Sequence, residues 1–272
     1  MKNLLITTVQ PLYHSGDEPD KAIRAFIKEQ LSACPENGLI LFPEYSNAGG
    51  LSDPAKEIAA MAYAEEVKTA ARAAAAEKHS FVAVNVLEKQ AGKVKNTTYL
   101  YDRQGNEAFA YHKQHLPPSE VELGMEAGEG AGNACVCTCE AEGIRFGFLT
   151  CFDVYFNEQI EHIAAYKPDV ILLPGYQRGE RTDILRAQTK MIAFRCNAYV
   201  VKSSYSMEDD LHGGCSMIVA PDGQILKDMG AAVGSISAEV DVAWKYQRSA
   251  GFGKGLIRND DFINNGLCPE AF

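Results

Sequence analysis

Short apolar runs alternate with amphipathic stretches along most of the chain. Residues 3–10, NLLITTVQ, form the first strand pattern. Residues 19–33 place Ala22, Phe26, Ile27 and Leu31 at helical spacing, so a helix is predicted there. Residues 38–44, GLILFPE, read as a short buried strand ending at Pro43-Glu44. Residues 53–78 are alanine-rich and predict a helix, with Asp53 as N-cap before Pro54. Residues 80–90 are a strand, and 97–113 are two strands around Arg103-Gln104-Gly105-Asn106. A loop rich in Pro and Gly follows over 114–132. Residues 134–150 predict a hairpin that ends in a buried strand, 144–150. A helix over 155–167 carries Ile160, Ile163 and Ala164 on one face. Strands at 169–175 and 198–206 enclose a helix over 182–197. Residues 212–230 form a hairpin turning at Pro221-Asp222-Gly223, and 235–242 a last strand. The tail from Trp244 to Phe272 reads as irregular.

This order mixes β-α units with direct hairpins. It predicts one domain over 1–272, with helices outside and two sheets inside. Residues 1–110 and 130–242 each run β-α-β-α-β and then into hairpin material, which hints at internal pseudo-symmetry.

Composition narrows the function classes. The 272 residues are 46% hydrophobic and 23% charged, as in an ordinary globular protein. A net charge of −10, without a basic block, argues against nucleic-acid binding. No apolar run approaches the length of a membrane span, and the N-terminal run turns polar by Thr7, unlike a signal peptide. A cytoplasmic location is expected, with the eight cysteines reduced. Cys135, Cys137 and Cys139 would share one strand face. With no histidine nearby, a strand that carries thiols is preferred to a soft-metal site. GFGKG at 251–255 lacks the strand and helix that a phosphate loop needs.

Three chemically distinct residues stand at predicted strand ends: Glu44, Lys113 and Cys151. Ligands collect at such ends in α/β folds. A cysteine taken alone reads as a core thiol. Beside the other two, it reads as a nucleophile. A carboxylate can take its proton and later activate water, a lysine can hold an oxyanion, and the sulfur can form a thioester or thioimidate. His112 and His115 flank the lysine, so a Cys-His pair is the internal rival. Asp153 and Glu158 fit a helix N-terminus better than chemistry.

Phe42-Pro43-Glu44, Lys113-Gln114-His115-Leu116-Pro117 and the block CFDVYFNE from Cys151 to Glu158 resemble, in order and spacing, the three signature blocks of the nitrilase superfamily of carbon–nitrogen hydrolases. The resemblance runs from the first strand to the closing Val-Asp strand. It implies an αββα four-layer sandwich with two mixed sheets. It also implies a triad of Glu44 as base, Lys113 as oxyanion stabiliser and Cys151 as nucleophile, with the Phe152 amide as second oxyanion donor. A further glutamate after the lysine is expected at Glu120, with Glu122 as competitor. Neither metal nor organic cofactor is implied, and the expected partner is a second copy of the chain, in a homodimer or larger homo-oligomer. The expected reaction is hydrolysis of a small amide or N-carbamoyl (ureido) substrate. Nitrile hydrolysis is the alternative, disfavoured because Phe152 stands where nitrile-cleaving members usually carry Trp. A catalytically silent member that binds a protein is the alternative from another class. Asn157 stands where proline is usual, and Arg195 where an acidic residue is usual. Arg178, Glu180 and Arg181 are candidate charges at the pocket rim, or equally a solvated loop.

Overall fold

The computed structural model describes residues 3–14, 18–51, 53–128 and 137–265. The first half runs β1 (Asn3–Gln10), α1 (Pro19–Ser32), β2 (Leu39–Leu41), α2 (Pro54–Ala60), α3 (Ala64–Lys78), β3 (Phe81–Gln90), β4 (Lys93–Tyr101), β5 (Glu107–His112) and α4 (Pro118–Glu122). The second half runs β6 (Thr138–Ala141), β7 (Ile144–Phe148), a 3₁₀ turn (Cys151–Tyr155), α5 (Asn157–Ala165), β8 (Val170–Pro174), α6 (Thr182–Cys196), β9 (Tyr199–Ser203), β10 (Met217–Val219) and β11 (Ile225–Asp228). Strand β12 (Gly234–Asp241), the pair β13 (Gln247–Ser249) and β14 (Leu256–Arg258), and α7 (Asn259–Asn265) complete the chain.

Two six-stranded sheets result, in the orders β12-β1-β2-β3-β4-β5 and β11-β10-β9-β8-β7-β6. In each, three consecutive strands are parallel and the next two antiparallel. In each, an antiparallel strand flanks the first parallel one, β12 on β1 and β6 on β7. The pseudo-symmetry hinted at in the sequence is thus a repeated topology.

The layers follow from period-two alternation. Leu39, Leu41, Phe81 and Ala83 pack in the cluster that joins the two sheets. Ile40, Phe42, Val82 and Val84 point the other way, onto Ile23, Ile27 and Leu31 of α1 and Val67 and Ala71 of α3. Phe81 and Phe146 meet across the sandwich with ring centroids 5.3 Å apart. Thr8 and Ser203 hydroxyls donate to the carbonyls of Lys202 and Val9, tying β1 to β9. The result is a four-layer α/β sandwich, as expected.

Several boundaries differ from the sequence reading. The helix expected over 53–78 is broken by a 3₁₀ turn at Met61–Tyr63, although Asp53 caps it through Ala55 N at 2.8 Å. The Pro/Gly-rich loop contains α4. Residues 244–265 carry β13, β14 and α7, which corrects the expectation of an irregular tail over that stretch; the rest of the tail lies outside the described residues. Those elements are too short to show a periodicity, and polar contacts fix them. Asn197 accepts from Tyr246 N at 2.9 Å and donates to Asp260 at 2.7 Å, and Lys167 pairs with Asp261. GFGKG is the turn between β13 and β14. Cys137 is buried and Cys139 partly so, while Cys135 lies outside the described residues.

Candidate active site

Glu44 follows the last residues of β2. Its loop is bolted to β3: Phe42 N donates to Ala83 O, Tyr45 N to Asn85 Oδ1 and Ser46 N to Asn85 O. Tyr45 has φ 58°, a left-handed conformation that turns the chain sharply after the glutamate. The Tyr205 hydroxyl holds the Glu44 carbonyl at 2.7 Å. The carboxyl side chain, 1% exposed, accepts from Lys113 Nζ at 2.8 Å and Asn96 Nδ2 at 2.7 Å, both on Oε1. Oε2 is buried and has no hydrogen-bond partner among the described residues.

Lys113 follows β5, where its amide donates to Asn96 O and its carbonyl accepts from Gly128 N. Its Nζ also donates to Glu120 Oε1 at 2.6 Å. An ammonium has three donors, and these two bonds leave one. Glu120 is 6% exposed and additionally accepts from the Tyr45 hydroxyl, whereas Glu122 is exposed. Burial raises the Glu120 carboxyl to about 7, with the Glu44 charge adding to it, although the Lys113 charge opposes both. Lys113 itself is held charged: desolvation opposes this, but the Glu44 and Glu120 carboxylates beside it raise it.

Cys151 opens the 3₁₀ turn at the end of the β7 segment, and its φ is 45°. A non-glycine residue held there is strained, and it persists only where its surroundings over-determine it. The surroundings here do. Thr150 and Asp153 form a reciprocal capping box across the turn. Asp153 is fully buried and takes four hydrogen bonds, from Tyr111 OH, Thr150 N, His115 N and His115 Nδ1, between 2.8 and 3.0 Å. The turn that carries Cys151 is therefore tied to both sides of Lys113. The Phe152 amide stands in the first turn, where amides lack intrahelical partners. Desolvation and the Glu44 charge push the Cys151 thiol well above its usual range. Lys113 and a hydrogen bond from the Tyr176 amide only partly oppose them. The resting sulfur is a thiol.

Glu44, Lys113, Glu120 and Cys151 are thus one cluster. Besides burial, the groups acting most on the thiol are Glu44, Lys113 and the Tyr176 amide. His112 pairs with Thr97 at 3.0 Å, and His115 is held by Asp153 and stacked on Phe156 at 3.7 Å. The sequence reading does not single out the polar relay behind the cluster. From Glu44 it runs through Asn96 to Asn85 and Thr98, then to Thr150 across the sandwich. Alternation on β3 and β4 was the only available signal: polar residues at inward-facing positions of otherwise apolar strands.

Of the three rim candidates, Arg178 lies between the Tyr13 and Tyr176 rings, and Glu180 accepts from Tyr155 at 2.6 Å. Arg181 forms an exposed pair with Asp183. Arg195 reaches from α6 to Glu161 on α5, so the reversed charge makes a cross-helix ion pair.

Residues 21–246 match the carbon-nitrogen hydrolase family. A 2-oxoglutaramate amidase of Bacillus subtilis (strain 168) is 27% identical over 172 residues, 61% of this chain and 64% of that protein. A deaminated glutathione amidase of Synechocystis is 28% identical over 162 residues, 56% of this chain and 59% of that one. The chain therefore matches about six-tenths of the length of these relatives. Among solved structures, an amidase from Nesterenkonia sp. aligns with a TM-score of 0.70 at 19% identity, over 87% of this chain and 90% of that one. A carbon-nitrogen hydrolase from Helicobacter pylori G27 aligns with a TM-score of 0.72 at 16% identity, over 88% and 90%. The structural likeness is one of fold, and the family match covers most of the sequence: this chain belongs to the carbon-nitrogen hydrolase family.

Proposed function

We propose that the protein hydrolyses a small amide or N-carbamoyl compound through a thioester on Cys151. The observation that carries this reading is a buried ammonium, Lys113, bridging Glu44 and Glu120 beside the sulfur. In the first half-reaction Glu44 accepts the thiol proton through Oε2 as sulfur attacks the carbonyl carbon. A raised thiol needs this: the thiolate forms only as it is consumed. The carbonyl oxygen gains the negative charge, and the third Lys113 proton and the Phe152 amide receive it. Collapse breaks the C–N bond, and Glu44 returns its proton to the departing ammonia or amine. In the second half Glu44 takes a proton from water, hydroxide attacks the thioester, and the acid leaves as sulfur recovers the proton. Glu120 touches no reacting atom here. It fixes the lysine, with Tyr45 fixing it in turn.

Ammonia release from a panel of small amides, ureido acids and nitriles tests this reading. Release that depends on Cys151 and favours amides or ureido acids is expected. Release from nitriles alone would replace it with the nitrilase alternative.

The reading also takes the chain as one domain that works as a homo-oligomer in a reducing compartment. β12, late in the chain, pairs with β1 along its whole length. An apolar groove of about 580 Å³ between α5 and α6 includes Ile184 and Met191, which are 39% and 61% exposed. A second copy packed on that groove is the expected partner, and sedimentation should show a dimer or larger. Six described cysteines are free thiols. Among the described residues no helix is long and apolar enough to cross a membrane.

A further inference from the structure

One buried cation near the sulfur has no part in the mechanism. Lys202, on β9, is 1% exposed. Among the described residues its Nζ makes one hydrogen bond, to Gly214 O at 3.2 Å, and no ion pair. Two of its three donors are unused. Asp228, the acid whose charge it feels, is held by Arg186 Nε at 2.6 Å and by the Gly230 amide. An unpaired buried ammonium is costly to the fold, and burial accordingly lowers Lys202 to about 8.

Its position bears on the reaction centre. Strands β7, β8 and β9 are parallel, and their carboxyl ends carry Cys151, Gly175-Tyr176 and Lys202-Ser203 respectively. Gly175 N is bonded to Ser203 O at 2.8 Å, and the next amide, that of Tyr176, donates to Cys151. A Cβ placed on Gly175 would lie 4.0 Å from Lys202 Nζ and 3.5 Å from Gln177 Oε1. A negative charge on Cys215, Cys151 or Asp228 would raise Lys202, so the sulfur lies within electrostatic reach of its ammonium. Elsewhere in the cluster, the Lys113 charge is matched by two carboxylates. An anionic substrate would therefore meet excess negative charge unless a second cation received it.

We infer that Lys202 is a specificity-determining residue: it receives a carboxylate on the acyl part of the substrate, making the preferred substrates monoamides of small dicarboxylic acids. The carboxylate supplies the acceptors that the two unused donors lack, and the carboxamide is then presented to Cys151. This rests on the amidase reading.

The test compares succinamate with butyramide, a four-carbon amide with methyl in place of carboxylate. Wild type should favour succinamate in kcat/KM. Lys202→Met should lose roughly 10- to 100-fold on succinamate, mainly through KM, and change butyramide hydrolysis by less than about threefold. Equal losses on both amides, or none on either, would overturn the inference; equal losses would assign Lys202 to the thiol instead. A second arm is independent of turnover: calorimetry of succinate binding to Cys151→Ala, with and without Lys202→Met. Binding that needs Lys202 supports the inference even if no amide is cleaved, and such inactivity would count against the amidase reading alone. Binding indifferent to Lys202 overturns it. Removing an unpaired buried charge should leave the unfolding midpoint equal or higher. If Lys202→Met does not fold, Lys202→Gln replaces it in both arms.

Discussion

Lys113 Nζ lies 2.8 Å from Glu44 Oε1, while Glu44 Oε2 has no hydrogen-bond partner among the described residues. One oxygen is fixed and the other is available. That asymmetry is what a general base needs. It must be oriented yet keep a free lone pair for the incoming proton. Asn96 completes the orientation from the opposite strand.

Removing Lys113 should damage the fold as well as the reaction. Lys113→Met would leave Glu44 and Glu120 buried without their shared cation. Loss of one partner in such a buried set costs about 3–5 kcal/mol. Urea unfolding at neutral pH should show a lowered midpoint with an unchanged slope. Lys113→Met at wild-type stability would mean that the carboxylates are not ionised together.

Glu120 makes stability depend on pH in a definite direction. Its carboxyl is raised to about 7 from an ordinary value near 4.5. A raised group favours the fold fully below its unfolded value, and that contribution disappears as pH rises through the folded value. Wild type should therefore lose stability between about pH 4.5 and 7 relative to Glu120→Gln, by an amount on the order of 3 kcal/mol. Melting curves of the two proteins across that range check it. Parallel curves would remove Glu120 from this role.

Asp153 should matter through Cys151 without touching substrate. Asp153→Asn puts an amide group where the buried side chain only accepts. A loss of about 1–3 kcal/mol in stability is expected, with a fall in kcat that exceeds the change in KM. Substrate affinity lost at constant kcat would place Asp153 in binding instead.

The thiol should be a poor nucleophile toward general reagents. Its proton is held by burial and by the Glu44 charge. Iodoacetamide labelling of Cys151 should keep rising with pH beyond 9, because the thiolate fraction is still growing there. A plateau near pH 7 would indicate a preformed thiolate and remove the need for Glu44 as base in the first step.

The layers were legible because strand and helix periods are local. NLLITTVQ and PDKAIRAFIKEQLSA reveal their elements without knowledge of the rest. Glu44, Lys113 and Cys151 were legible as strand-end residues in three recognisable blocks. Their contact was not, because residues 44, 113 and 151 meet only once two sheets stack. Asn96 and Tyr45 were hidden for a related reason: a polar residue gains its meaning from the partner it faces. The tail was misread over residues 244–265 because Asn197 and Asp260, 63 positions apart, hold that stretch in place of an apolar stripe. Lys202 interrupts an otherwise apolar run, and only its burial makes it informative.

The central claim is that sulfur does the chemistry. The most direct measurement is ammonia release by wild type and Cys151→Ala over the same panel of small amides and ureido acids. Release by wild type from at least one compound is expected, with a fall of at least about a thousandfold in the variant. Equal release by the two proteins from every compound would contradict it.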